Sequence, residues 1–522
     1  MRRGYDAVVV GAGSAGCPLV ARLSEDASRR VLLLEAGGPA RRREIGIPAA
    51  FSKLFRTECD WNYETEPQPG LDGRRVYWPR GRVLGGCSSI NAMIYVRGHR
   101  WIYDRWRDAG CEGWGYDELL PYFRRSERFY AGASEDHGGS GALHVSAPRD
   151  PNVLSLRFVD AAVEVGLPRN EDFNAGSQEG VGLYHLTQSR GRRWSAADAF
   201  LEPALSRANL TVATHAVALR VLFERGRAVG VEYTRGGAVE RVSAGEVVLC
   251  GGAVNSPQLL MLSGVGDARA LTALGIDVVA DLPGVGANLQ DHLIMLVGRE
   301  CTRPVTLASA ESVGNLARYL LRRRGPLTSN VGEAGGFVRL HADAAAPELQ
   351  FHFAPSWFVR HGFDNPEGHG LSLGPTLVRP RSRGALTLRS RDPLESPSID
   401  PGYLAAPEDL EVLVEGVRLA RRVLDAPALR EYCGVERFPG EDRVERDAIV
   451  AAIRRHVETV YHPVGTCRMG RDAMSVVSPR LEVHGVDGLR VADASIMPLI
   501  TNGNTNAPAI MIGEKAADLV AG

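Results

Sequence analysis

The chain has 522 residues, several times the length of a typical domain, so two intimately joined domains or one large one are expected. Hydrophobic residues make up 44% and charged residues 24%, which excludes a disordered, collagen-like or coiled-coil chain. With 61 basic and 62 acidic residues the net charge is −1, and no electrostatic footprint for nucleic acid or an anionic membrane follows from that balance.

The N-terminus reads Met-Arg-Arg-Gly and runs through Val8-Val9-Val10 straight into a glycine turn, so it is read as a strand and not a signal peptide. Tyr5 to Val10 is a short apolar strand. Gly11-Ala12-Gly13-Ser14-Ala15-Gly16 follows, then a helix-like run from Cys17 to Leu23 and a continuous apolar strand from Val31 to Leu34, ending in Glu35-Ala36. A lone G-x-G-x-x-G is a weak signal. Between a strand and a helix, with an acidic residue closing the second strand, it points to a dinucleotide. Gly11 allows the tight turn, Gly13 admits backbone to the pyrophosphate, and Gly16 lets the helix pack on the strand. The helix N-terminus favours the phosphate. Glu35 accepts from a ribose hydroxyl and repels a 2′-phosphate.

Further along stands Arg80-Gly-Arg82-Val-Leu-Gly-Gly86-Cys-Ser88-Ser-Ile-Asn91-Ala92. Its glycine pair lets backbone pass close to a flat ligand, or else simply caps a helix. Strands are expected at 210–217, 228–233 and 246–250, and a helix from Pro257 to Gly266. Leu349-Gln-Phe-His-Phe353 and Ala385-Leu-Thr-Leu-Arg389 alternate apolar and polar, as half-buried antiparallel strands do. Gly488 to Asp493 is another short strand, and the last helix is expected from Ala507 to Val520. His462, before a proline, and Asn506, in an Asn-rich turn, are candidate site residues or merely structural ones.

No two of the eight cysteines form a Cys-x-x-Cys pair and their gaps are irregular, which argues against a zinc site or a disulfide scaffold. No apolar window reaches membrane-span length. A soluble cytoplasmic protein is expected, with no metal. The fold class expected is α/β: a discontinuous Rossmann-like nucleotide-binding domain with an antiparallel-sheet α+β substrate-binding domain. The expected borders are 1–154, 206–299 and 441–522 for the first, and 155–205 and 300–440 for the second.

Nearly end to end, the sequence resembles the glucose–methanol–choline (GMC) family of FAD-dependent oxidoreductases, in wording most similar to its bacterial choline and alcohol dehydrogenase branch. The likeness rests on Gly11–Gly16 with Glu35, Gly81–Asn91, Gly252–Gly266 and the two C-terminal segments. It implies FAD, and oxidation of an alcohol by hydride transfer to flavin N5, with His462 as base and Asn506 as its partner. An imidazole with an ordinary pKa near 6.5 takes the hydroxyl proton near neutral pH. By the same resemblance Gly11, Gly13, Ser14, Ala15, Gly16, Glu35 and Ala36 hold the ADP half. Arg82, Gly86, Ser88, Asn91 and Ala92 lie along the pyrophosphate and ring, Val217 contacts adenine, Asp493 and Ala494 sit near the ribityl chain, and Pro508 borders the ring with Asn506. Ile90 stands where choline oxidases carry the histidine that bonds FAD, so the FAD is expected to be non-covalent.

The substrate pocket is expected to include Tyr461, Glu333, Phe351 and Phe353, the aromatic residues being core on the alternative reading. Glu333 resembles a carboxylate that choline-oxidising members place in the pocket. The leading expectation is a primary alcohol with an apolar or aromatic body, with oxygen or a quinone-like carrier as electron acceptor. Choline oxidation is the alternative, along with the family's lyase and photodecarboxylase reactions, a non-catalytic FAD protein, or a nicotinamide enzyme.

Overall fold

The computed structural model describes residues 4–522; Met1 to Arg3, part of the N-terminal reading above, lie outside the described residues. Val31–Leu34 is apolar at every position and buried at every position, because a parallel strand is covered on both faces. It pairs in parallel with Tyr5–Val10 (Val8 opposite Leu32) and, on its other edge, with Leu210–Ala213. Tyr5–Val10 pairs on its far side with the C-terminal half of Ala238–Leu249, which also takes Leu489–Val491 as a parallel neighbour. The N-terminal half of that long strand continues into an antiparallel meander with Arg227–Arg235 and Ala216–Glu224. One seven-stranded sheet thus joins the start, middle and end of the chain. The last helix, Asn506–Ala521, packs on Gly16–Leu23 so closely that a Cβ on Gly513 would lie 2.2 Å from the Ala15 carbonyl oxygen.

The second sheet has eight strands, all antiparallel, with Leu349–Ala354 between Gly370–Leu377 and Ala334–Val338. Helix Val153–Glu164 packs beneath it: Phe158 stacks on Phe353 with ring centroids 4.9 Å apart. The chain is therefore an α/β protein with a nucleotide-type sheet and an antiparallel second layer.

Several expected borders move. Val297–Cys301 straddles the expected 299/300 border, and Glu458–Thr459 pairs with Leu293–Ile294 in the second sheet rather than serving the first. Both are pulled across by backbone pairing, which local composition does not encode. The expected strand 210–217 is broken by left-handed His215 (φ +54°), and Ala385–Thr387 pairs only with Ser398–Asp400, outside the large sheet. The middle helix runs from Gly252 to Leu262. Among the described residues no helix is long and apolar enough to cross a membrane.

Candidate active site

A cavity of about 650 Å³ lies between the two layers, running from Glu35 and Val217 past two glycine loops to His462. The loops touch: the Gly85 N–H donates to the Ala12 carbonyl at 2.8 Å, and a Cβ on Gly86 (φ +53°) would sit 2.7 Å from the Gly13 Cα. Gly11 (φ +107°) is forced by the turn, since its Cβ would meet the Cys250 carbonyl oxygen at 2.4 Å. Gly16 does not line the cavity; its bare Cα lets the helix close on Gly11 O. Ser14, Ala15, Ala36, Arg82, Asn91, Ala92, Asp493 and Ala494 all do. Glu35 is fully buried and holds the turn, accepting from Ala12 N at 2.9 Å and Gly37 N at 2.8 Å. Burial pushes its carboxyl up to about 7. A long slot floored by glycine backbone, with a carboxylate at its end, fits a dinucleotide.

The other end is built around His462, which the C-terminal layer presents through Tyr461, an aromatic residue held at φ +69°. The His462 backbone N–H donates to Asp291 Oδ1 at 2.8 Å. Asp291 Oδ2 in turn accepts from Tyr403 and Thr459 hydroxyls, both at 2.5 Å. A short chain of contacts fixes the imidazole tautomer. Gln350 Nε2 donates to Asn504 Oδ1 at 3.1 Å, so the Asn504 NH₂ faces His462 Nε2 at 3.3 Å. A donor there requires Nε2 to be the unprotonated nitrogen. Nδ1 then carries the hydrogen and donates to His292 Nδ1, 3.1 Å away. Burial, reinforced by His292, His352 and Arg80, holds the His462 pKa well below its ordinary value. The basic nitrogen is therefore unprotonated across neutral pH and lies at the cavity, where a substrate hydroxyl displaces the long contact from Asn504. Asn506 lines the cavity beside it; its Oδ1 accepts from Ser14 Oγ at 2.8 Å, which leaves the NH₂ as its donor to a ligand. The side chain is thus committed to the site and not to capping its helix.

Family models of GMC oxidoreductases match residues 5–294 and 380–513. The chain is a GMC oxidoreductase. It is 46% identical to an alcohol dehydrogenase [acceptor] of Pseudomonas putida, over 99% of this chain and 95% of the relative. It is 47% identical to the mitochondrial choline dehydrogenase of Homo sapiens, over 99% of this chain and 90% of that one. Among solved structures, pyridoxine 4-oxidase from Mesorbium loti superposes with a TM-score of 0.91 at 35% identity, covering 98% of both chains. The cofactor of this GMC oxidoreductase is FAD, and the glycine-floored slot is where this chain's residues would hold it.

Besides Gly16, five of the residues expected in the site stand behind it. Phe351 and Phe353 are on the right strand but the wrong face: side chains alternate, so His352 and Ala354 line the cavity while the phenylalanines pack on Phe158. Glu333 follows the cavity-lining Val331 and Gly332, yet its carboxylate turns into the core, accepting from Asn152 N and Ser155 Oγ at 2.7 Å each. Ser88 braces the second glycine turn, donating to Gly85 O and accepting from Ala196 N. Pro508 is buried in the helix, between cavity-lining Asn506 and Ala509.

Asp291, His292, His352 and Asn504 were missed. Asp291-His292 did leave a signal, two titratable residues inside the apolar run from Leu289 to Val297. The apolar walls near His462 come from Phe51, Phe55, Phe358, Tyr461, Ile294 and Leu296.

Proposed function

We propose that this GMC oxidoreductase oxidises an uncharged primary alcohol with an apolar or aromatic body to its aldehyde. The observation that carries the reading is the cavity-facing lone pair on His462 Nε2, set beside walls that hold aromatic rings and no carboxylate. The acidic residues that line the cavity are Glu35, Glu395 and Asp493. Glu35 ends the dinucleotide-binding strand, Asp493 is occupied by Gly252 N–H and Ser256 hydroxyl, and Glu395 accepts from the Ser390 hydroxyl and, through its carbonyl, from Gln258 of the middle helix. Arg80 donates to the Tyr461 carbonyl and places positive charge near the base, which opposes a cationic substrate such as choline.

FAD, when bound, supplies the acceptor for the hydride. His462 Nε2 takes the hydroxyl proton, a contribution of about 10²–10⁴ in rate for a positioned base. The Asn506 NH₂ donates to the oxygen as negative charge develops on it. Asn504, Gln350 and His292 hold the imidazole in the tautomer that accepts, and Ser14 aims Asn506.

The test is an anaerobic absorbance titration of the purified yellow protein with benzyl-type alcohols, long-chain alcohols and choline. Bleaching of the flavin band by apolar alcohols at concentrations where choline is inert is expected. Bleaching by choline alone would overturn the substrate assignment. Admission of air to the bleached protein then separates oxygen from a quinone-like acceptor.

A further inference from the structure

The near-neutral balance of the whole chain conceals a local basic and apolar patch on the helix Val313–Arg322. The helix is well made: Ser312 Oγ accepts from Asn315 N at its start, and left-handed Arg323 (φ +51°) ends it. Its one buried residue is Tyr319, whose hydroxyl donates to Gly46 O at 3.0 Å. The apolar side chains turn the other way. Val313 is 85% exposed, Leu320 60% and Leu321 84%, with Leu316 half in the open beside them. Positions 313, 316, 320 and 321 share one helix face, so these residues form a continuous stripe rather than scattered singles. Four arginines accompany it. Arg318 and Arg322 are exposed on the helix itself and carry the patch's charge; at its end Arg323 lies over the Tyr319 ring and Arg324 is paired with Asp150.

We propose that this helix docks on an anionic lipid bilayer, its leucines entering the acyl boundary and its arginines meeting headgroup phosphates. A helix with an apolar stripe and a basic flank is the physical form that lies in the interfacial plane. The competing occupant is a second copy of the chain. Two-fold pairing through this stripe would bring the arginines of both copies together, and the acid that precedes the helix, Glu311, is already bridged to Lys53 at 2.5 Å. Charge therefore favours the bilayer. The placement has a use. From the helix the chain runs through buried Leu327 to Val331 and Gly332 of the cavity wall, and Tyr319 ties it to the segment that supplies Phe51 and Phe55. Docking sets the apolar end of the cavity against a store of lipid-soluble alcohols and acceptors, a consequence that rests on the proposed function; the docking itself does not.

The test uses the FAD-loaded protein with vesicles of phosphatidylcholine alone or mixed with phosphatidylglycerol. Co-sedimentation with the mixed vesicles is expected, weakened about tenfold or more in their absence of charge or at high salt. The pair Leu320→Asp and Leu321→Asp abolishes binding while flavin absorbance and turnover of a water-soluble alcohol with a soluble dye stay at wild-type values. The pair Arg318→Glu and Arg322→Glu removes the preference for anionic vesicles. Failure of the wild-type protein to sediment with either vesicle overturns the proposal. So does binding that both variant pairs retain, or a dimer in solution that the leucine pair dissociates. None of these outcomes depends on which alcohol the enzyme oxidises.

Discussion

Replacing His292 with leucine removes the acceptor of His462 Nδ1–H and keeps the side-chain bulk. His292 is fully buried and His462 is 8% exposed, so the leucine side chain and not water fills the vacated place. A buried donor left without an acceptor costs about 1–3 kcal/mol. The imidazole escapes that cost by moving its hydrogen to Nε2, and this tautomer has no lone pair for the substrate. The Asn504 NH₂, fixed by Gln350, resists the move but acts alone once His292 is gone. At 1.4 kcal/mol per factor of ten, the competent fraction falls about 5- to 150-fold. Anaerobic stopped-flow reads this as a fall in the limiting rate of flavin reduction, with the substrate concentration at half saturation changed less than about threefold. His292→Asn, whose amide oxygen accepts, recovers part of the loss. Full FAD content with wild-type flavin reduction in His292→Leu would refute the tautomer argument.

His462→Ala lowers the rate of flavin reduction about 10²–10⁴-fold and leaves FAD binding intact, measured by the same rapid mixing. Because the folded protein holds His462 below its ordinary pKa, the wild-type rate is flat through neutral pH and falls only in acid, below about 6.5; a midpoint above that value would contradict the burial argument. Stability follows the same sign. Below pH 6.5 the unfolded chain binds protons that buried His462, His292 (pushed down to about 3) and His352 (to about 4) refuse, so these groups cost stability as pH drops, while Glu35, raised to about 7, acts with the opposite sign. Three histidines against one carboxyl give a net slope of at most about 3 kcal/mol per pH unit, seen by denaturant unfolding between pH 6 and 5. Phe353→Ala costs about 3–5 kcal/mol and leaves the ranking of alcohols unchanged, whereas Phe358→Ala raises KM for a benzyl-type alcohol without a comparable loss of stability. Acid precipitation releases the yellow colour into the supernatant, since Ile90 offers only hydrocarbon where a covalent attachment would form.

What the sequence exposed and what it withheld divide along a physical line. The nucleotide half was legible because its constraints are local. A glycine turn between strand and helix, with an acid at the next strand end, forces one backbone path, and Gly11, Gly13, Glu35 and Gly86 stand in the structure where that path puts them. His462 and Asn506 were legible through family likeness, and the cavity holds both. The substrate half was not, because its information is non-local. Whether residue 352 or 353 faces the ligand is a matter of strand register: a shift of one residue exchanges the two faces, and Leu349-Gln-Phe-His-Phe353 reads the same either way. There His352 and Ala354 line the cavity and the phenylalanines face helix Val153–Glu164, so the aromatic residues that stood out in the sequence are the ones that build the core.

The same reasoning explains Glu333. A carboxylate between small residues looks available for a ligand, but its neighbours in space, Asn152 and Ser155, are some 180 positions away in the chain. Both donate to Oε2, and the side chain is buried away from the cavity. A carboxylate satisfied in this way is a brace between the helix and the sheet, and Glu333→Gln is expected to cost about 1–3 kcal/mol in denaturant unfolding with no change in the choline-to-benzyl preference. A selective loss of choline turnover would return Glu333 to the pocket. On the proposed reading, substrate class is decided by the rings of Phe51, Phe55 and Phe358, whose convergence on the cavity only the folded chain reveals, and by the charge of Arg80, which lines the same cavity.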